Sequence, residues 1–277
     1  MTVLLQFALL AVLAGVTVAA VRMLILRGLD IVTTCLNLGT KTKGQLLGYA
    51  TSIPELVVVV SAAWAGVFDA GFWNIASSNI INWVLFLAAL LFYRQQWDLR
   101  QKRFVDELIF GLVSVAVPLT LFFLDVGATN WTALGLFLLF VVYKVLDRVA
   151  NPKGGGEART GMSCPRQGAG KGVLLLVAGI AAISVTGVFL GRVADSLVTE
   201  LKTPAVLVGW ILGLVTSVPE MGSFFLVFKS HRDRGTSELA DDTQEALDAL
   251  VASNMCNLGI ILPAGVLVYW IVKKMAS

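Results

Sequence analysis

Charge is what this chain most conspicuously lacks. Of its 277 residues only 14% are Asp, Glu, Lys or Arg, while 57% are hydrophobic. A water-soluble domain carries about 25% charged residues. Too few charges remain to cover a water-facing surface, which excludes a soluble globular domain. Cysteine is equally scarce. Cys35, Cys164 and Cys256 are odd in number and far apart, so they form neither a disulfide framework nor a metal-ligand spacing. The single histidine, His231, sits in a basic stretch and reads as solvated. There is no Gly-rich phosphate loop and no paired Cys/His metal motif, so no enzyme chemistry, cofactor or nucleic-acid partner is expected. The stretch from Met1 to Phe7 has no basic n-region and reads as the start of a span, not as a cleaved signal.

What is present is long apolar runs. The mean hydropathy is +0.82, and eight apolar segments lie near 3–37, 45–66, 70–93, 105–126, 130–147, 172–201, 204–229 and 244–272. A helix crossing hydrocarbon needs about 20 such residues. Backbone groups in lipid must bond internally, so each segment should be helical. The first and sixth are over-long, which points to tilt or to an end that leaves the bilayer. Placing both termini outside puts fifteen Lys and Arg in inner loops and four in outer ones, the arrangement the positive-inside rule favours. Residues 151–171, rich in Gly and charge, read as a cytoplasmic linker. It divides a first half, 1–150, from a second, 172–277. The expected fold is an all-α polytopic membrane protein with halves of five and three transmembrane helices.

The two halves repeat. Gly48-Tyr-Ala-Thr-Ser-Ile-Pro-Glu55 recurs 165 residues later as Gly213-Leu-Val-Thr-Ser-Val-Pro-Glu220. Arg27-x-x-Asp30 and Gly44 recur at the same offset as Arg192-x-x-Asp195 and Gly209. The register then slips by ten residues, across the hydrophilic stretch Ser230 to Thr243, and Ser78-Asn79-x-x-Asn82 recurs as Ser253-Asn254-x-x-Asn257. Five spans lie between the starts of the two copies. An odd count turns the second upside down, the inverted-repeat plan of many secondary transporters.

The repeated motif has its own chemistry. Glu55 and Glu220 fall inside apolar spans, where an ionisable group is costly and marks a functional site. Thr51 and Thr216 precede them by four residues and share a helix face with them. Pro54 and Pro219 cannot donate to the carbonyls of Ala50 and Val215. Carboxylate, hydroxyl and freed carbonyl together make the oxygen cluster that a hard cation such as Ca2+ takes. Ser52, Ser217, Ser78, Ser253, Asn79 and Asn254 would add neutral oxygens. Ser, Thr and Asn in membrane helices also simply bond neighbouring helices. Asn82 and Asn257, one turn on, read as packing or supporting groups. Arg27/Asp30 and Arg192/Asp195 have the i,i+3 spacing of local ion pairs. Asp241, Asp242 and Glu245 read as the acidic first turn of the last helix.

The paired G-x-x-T-S-x-P-E and S-N-x-x-N motifs resemble the alpha-repeats of the cation/calcium antiporter superfamily, in its sodium/calcium exchanger-like branch. The resemblance covers about 27–82 and 192–257. It implies Ca2+ exchanged for Na+, H+ or K+ by alternating access in a cell membrane. It implies that Glu55 and Glu220 bind Ca2+ with Thr51 and Thr216, and that Ser52, Ser217, Ala50 and Val215 lie near flanking Na+ sites. Ser78, Asn79, Ser253 and Asn254 match the polar ends of the second motif. The first and sixth helices are expected to slide. Sodium is the first choice of counter-ion and the proton the second. A channel-like or non-transporting cation-binding protein is the alternative from another class.

The chain departs from the family pattern in two ways. The glycines of G-N-x-x-G-S-N, which permit close helix approach, are replaced, giving bulky Trp73-Asn74 with Ser77 in one copy and Asp248-Ala249 with Ala252 in the other, so that close approach is expected to be lost there. Asp248 thereby offers a third carboxylate, or just another acid near a helix start. The second half also has three spans where the family has five; the resemblance implies that the last two pack away from the ion site, so that transport survives without them, or else a second copy or a partner subunit covers the gap.

Overall fold

The computed structural model describes residues 3–36, 38–150, 166–199, 202–233 and 240–276. Among them there are only helices, turns and short links. The order is α1 (Val3–Ala20), α2 (Leu26–Cys35), α3 (Thr40–Thr51), α4 (Ile53–Trp64), α5 (Phe68–Phe92), α6 (Val105–Phe123), α7 (Asn130–Ala150), α8 (Arg166–Thr199), α9 (Ala205–Thr216), α10 (Val218–Asp233), α11 (Asp241–Cys256) and α12 (Leu262–Ala276). A π turn, Val21–Ile25, joins α1 to α2, and another, Asn257–Ile261, joins α11 to α12. Seven stretches are long and apolar enough to cross a membrane. The eighth expected span is the 21-residue helix α7, which is not among the seven and carries Lys144, Asp147 and Arg148 at its C-terminal end. The expected linker lies largely outside the described residues. Its last part, 166–171, is already helical in α8.

The second and sixth of these seven spans are each broken at their middle. Helix α3 stops at Thr51 and α4 restarts at Ile53, around Ser52. Helix α9 stops at Thr216 and α10 restarts at Val218, around Ser217. Proline is the cause. Pro54 and Pro219 offer no N–H to the preceding turn, so the ladder cannot run through. The spans bearing the breaks are interior: the most apolar stretch of each is 56% buried, against 28% in the spans of α6 and α8. Large apolar side chains such as Leu112, Phe123 and Leu174 face outward. Trp64, Trp97 and Trp131 are exposed at helix ends, where amphipathic rings favour the membrane interface.

The halves interlock crosswise. Helix α3 packs on α11, and its repeat counterpart α9 packs on α5, the counterpart of α11. Lipid supplies no hydrophobic drive between helices, so close van der Waals approach must hold them, and small residues permit it. A Cβ added at Gly44 or Gly48 would strike the carbonyl oxygens of Glu245 or Ala249 on α11. One added at Gly209 or Gly213 would strike Trp73 or Ser77 on α5. The expected loss of close approach is therefore made good: the glycines missing from α5 and α11 are supplied by α3 and α9. Trp73 fits because its Cβ lies over Gly209 and its ring packs edge-on against Phe122, with centroids 4.7 Å apart.

Three expectations need correction. His231 is not solvated. It is 5% exposed on α10, with Nε2 3.0 Å from Glu245 Oε2. Asp30 pairs with Lys43 at 3.6 Å, and no Arg27–Asp30 pair forms among the described residues; the Asp195 side chain lies outside them. Cys35 is disulfide-bonded, whereas Cys256 is a free thiol. Cysteine spacing could not indicate the bond, because bridging depends on distance in space. The acidic start of α11 is present in Asp241 and Asp242.

Candidate cation site between the helix breaks

The breaks place Glu55 and Glu220 in the first turns of α4 and α10. Both side chains are essentially buried, at 0% and 1% exposure. Their surroundings follow the repeat. Ser78 Oγ on α5 donates to Glu55 Oε1 at 3.4 Å, and Ser253 Oγ on α11 donates to Glu220 Oε1 at 3.3 Å. Hydroxyls of the two halves meet beside the glutamates. Ser78 Oγ also lies 3.3 Å from Thr216 Oγ1, and Ser52 Oγ lies 2.9 Å from Ser253 Oγ. Each carboxylate is thus held by a serine of its own half, and that serine in turn touches a hydroxyl of the other half.

Hydrogen bonding leaves a distinct set of oxygens over. Glu55 Oε2, Glu220 Oε2, Asn82 Oδ1, Asn257 Oδ1 and Ser217 Oγ are buried without a hydrogen-bond partner among the described residues. An unmet buried acceptor costs about 1–3 kcal/mol, more if charged. Four of the five form two repeat-related pairs, and all are the hard oxygens that group 1 and group 2 cations take. Ala50 and Val215 sit in the last turns of α3 and α9, with carbonyls that the prolines cannot reach.

Asn79 and Asn254 are placed differently from the other expected ligands. Asn79 Nδ2 donates to Ser114 O at 2.9 Å and to Asn254 O at 3.3 Å. Asn254 Nδ2 returns a bond to Asn79 O at 3.0 Å. Their amide oxygens accept from Asn257 Nδ2 and Asn82 Nδ2, both at 3.0 Å. The four asparagines form a two-fold clamp where α5 crosses α11. Asn79 and Asn254 are engaged in it through both ends of their amides, while Asn82 and Asn257 keep an oxygen free.

Sequence reasoning thus missed Asn82 and Asn257 as site residues. The signal was available: each lies four residues after the serine that touches a glutamate, on the same helix face. Asn74 was missed too. It is fully buried, and its Oδ1 accepts from Thr216 Oγ1 at 3.3 Å. Its repeat counterpart is Ala249, so this amide is present on α5 only. Asp248 is not part of this site; it is buried in an ion cluster around Lys41.

The fold and these features define a class: an all-helical, multi-pass integral membrane protein of crossed, repeat-related helices. The family described as "Sodium/calcium exchanger protein" matches residues 5–147 and 171–277. The chain belongs to that family, and it is therefore a membrane ion transporter of exchanger type. Among solved structures it is similar to the sodium-calcium exchanger NCX_Mj soaked with 10 mM Na+ and 10 mM Sr2+. The TM-score is 0.58 at 18% identity, over 96% of this chain and 83% of that one. The same exchanger soaked with 2.5 mM Na+ and 1 mM Sr2+ gives a TM-score of 0.54 at 18% identity, over 100% and 89%. No curated protein sequence matches the chain.

Proposed function

We propose that this chain exchanges Ca2+ for Na+ across a cell membrane by alternating access, with the cations bound between the two TSxPE breaks. The observation that carries the reading is the repeat-related pair of buried carboxylates, Glu55 and Glu220, each with one oxygen unpartnered. Two carboxylate charges balance one divalent cation. Asn82, Asn257, Thr51, Thr216, Ser78 and Ser253 supply neutral oxygens toward the six to eight that Ca2+ takes. Ser52, Ser217 and the carbonyls of Ala50 and Val215 serve Na+ on either side. Asn79 and Asn254 hold α5 and α11 in position and do not contact the ion. Ca2+ and Na+ then compete for the glutamates, so the loaded site holds one or the other, and that alternation is what exchange requires.

Both termini face outward in this reading, following the distribution of Lys and Arg. Switching of access falls to α1–α2 and α8. The polar ties between them among the described residues include Gln6 with Ser196 and Thr17 with Thr186.

The test is competition at equilibrium. Bound 45Ca2+ on the purified protein should fall as Na+ rises with K+ held constant, and Glu55→Gln or Glu220→Gln should abolish it. Binding indifferent to Na+ but sensitive to pH would replace Na+ by H+ as the counter-ion. Binding that survives both substitutions would remove the cation from this site.

A further inference from the structure

At the end of the bundle where α3 begins, α6, α7 and α11 converge on a buried charge cluster. Lys41 Nζ lies 2.6 Å from Glu107 Oε1, 2.7 Å from Asp147 Oδ1 and 3.7 Å from Asp248 Oδ1. Lys144 stands 3.8 Å from Asp147 Oδ2. Asp106 adjoins: one carboxylate oxygen each from Asp106, Glu107 and Asp147 lie within 4.8 Å of one another. Lys41 and Lys144 thus stand among several carboxylates in a mostly buried place. A buried charge left uncompensated costs several kcal/mol.

A second observation shows where the compensation falls. Glu107 is 3% exposed, and its Oε1 is taken by Lys41. Its Oε2 is buried and has no hydrogen-bond partner among the described residues. Gln244 completes the wall, donating to Glu107 Oε1 at 3.4 Å and to Asp248 Oδ2 at 2.7 Å. Asp106 is only partly buried, which leaves a side open to water. Three carboxylates of hard oxygen, one unpartnered, with a wet edge, match what Mn2+, Mg2+ or Ca2+ takes when several waters remain bound.

We propose that Asp106, Glu107 and Asp147 form a second divalent-cation site, separate from the one between the helix breaks. None of its residues belongs to a repeat motif. Lys41 is the tethered cation that shares the cluster when the site is empty, and it shifts toward Asp248 when a divalent ion enters. Helix α3 carries both Lys41 and Thr51, and α11 carries both Asp248 and Ser253. Occupancy of this site therefore bears on the two helices that flank the glutamates.

The test uses the full chain with Glu55→Gln and Glu220→Gln, which removes the carboxylates between the breaks. Binding of Mn2+ is read by loss of its free electron-paramagnetic-resonance signal. One Mn2+ per chain should remain, displaced by Ca2+. Adding Asp106→Asn and Glu107→Gln, which keep shape and remove charge, should weaken it at least about tenfold. Lys41→Met on the same background should tighten binding, a gain that misfolding cannot imitate, and Mn2+ should restore part of the thermal stability it costs. No Mn2+ bound to the Glu55→Gln/Glu220→Gln chain, binding indifferent to Asp106 and Glu107, or weaker binding in Lys41→Met would each overturn the proposal. The background lacks both motif glutamates, so these outcomes are independent of the site between the breaks.

Discussion

Asn79→Ala separates a clamp from a ligand. The Asn79 amide makes three interhelical bonds: two from Nδ2, to Ser114 O at 2.9 Å and Asn254 O at 3.3 Å, and one at Oδ1, from Asn257 at 3.0 Å. Interhelical hydrogen bonds in membranes are worth about 0.6 kcal/mol on average and about 1.7 kcal/mol at most. Loss of three should cost roughly 2 kcal/mol and no more than about 5 kcal/mol. Asn82→Ala removes a single donor bond, to Asn254 Oδ1, and should cost only about 0.6 kcal/mol. Cation binding should show the reverse order, because Asn82 keeps an unpartnered oxygen and Asn79 does not. The assay is thermal unfolding in detergent without divalent cations, paired with 45Ca2+ affinity. Asn79→Ala should unfold well below wild type. Asn82→Ala should unfold near it and bind Ca2+ more weakly. An Asn79→Ala protein as stable as wild type but defective in Ca2+ binding would refute the clamp.

Further outcomes follow from the same geometry. Gly48→Ala and Gly213→Ala each push a methyl into the facing helix, and overpacking of this kind costs about 1–3 kcal/mol, visible as earlier unfolding with or without cation. Ser78→Ala and Ser253→Ala each remove one hydroxyl from a glutamate; a bond to a charged group is worth about 1.5–3 kcal/mol, so both should unfold earlier without cation, and both should bind Ca2+ more weakly as an oxygen is lost from the site. His231→Ala leaves Glu245 with Lys43 alone and should lower stability, whereas transport measured at matched protein amount should persist.

Much of the site was legible because its chemistry is repeated. Two copies of Thr-Ser-x-Pro-Glu declare both the helix breaks and the paired carboxylates, since proline acts locally and a membrane-buried acid is rare. Seven of the eight expected spans were legible from hydropathy; α7 is a helix but is not among the seven. The functions of the asparagines were not. Asn79 and Asn82 are chemically alike, and only the crossing of α5 over α11 decides which amide is consumed by the partner helix. The close approach of the helices was misjudged for a related reason. Glycine was sought on α5 and α11, but either surface of a contact can give way, and here it is α3 and α9. The Lys41 cluster was invisible because its partners are distant in sequence, 66 residues in the case of Glu107. His231 was misplaced because a basic, polar neighbourhood does not show that α10 extends to Asp233 and turns this one side chain toward Glu245 on α11.

The most direct test of the exchanger reading is Ca2+ uptake driven by a sodium gradient. Proteoliposomes loaded with Na+, K+ or acid are diluted into 45Ca2+, with wild type beside Glu55→Gln and Glu220→Gln. Uptake that requires an outward Na+ gradient and disappears in both variants is the expected result. Equal uptake without any gradient, or uptake unchanged when either glutamate is neutralised, would contradict coupled exchange through the paired carboxylates.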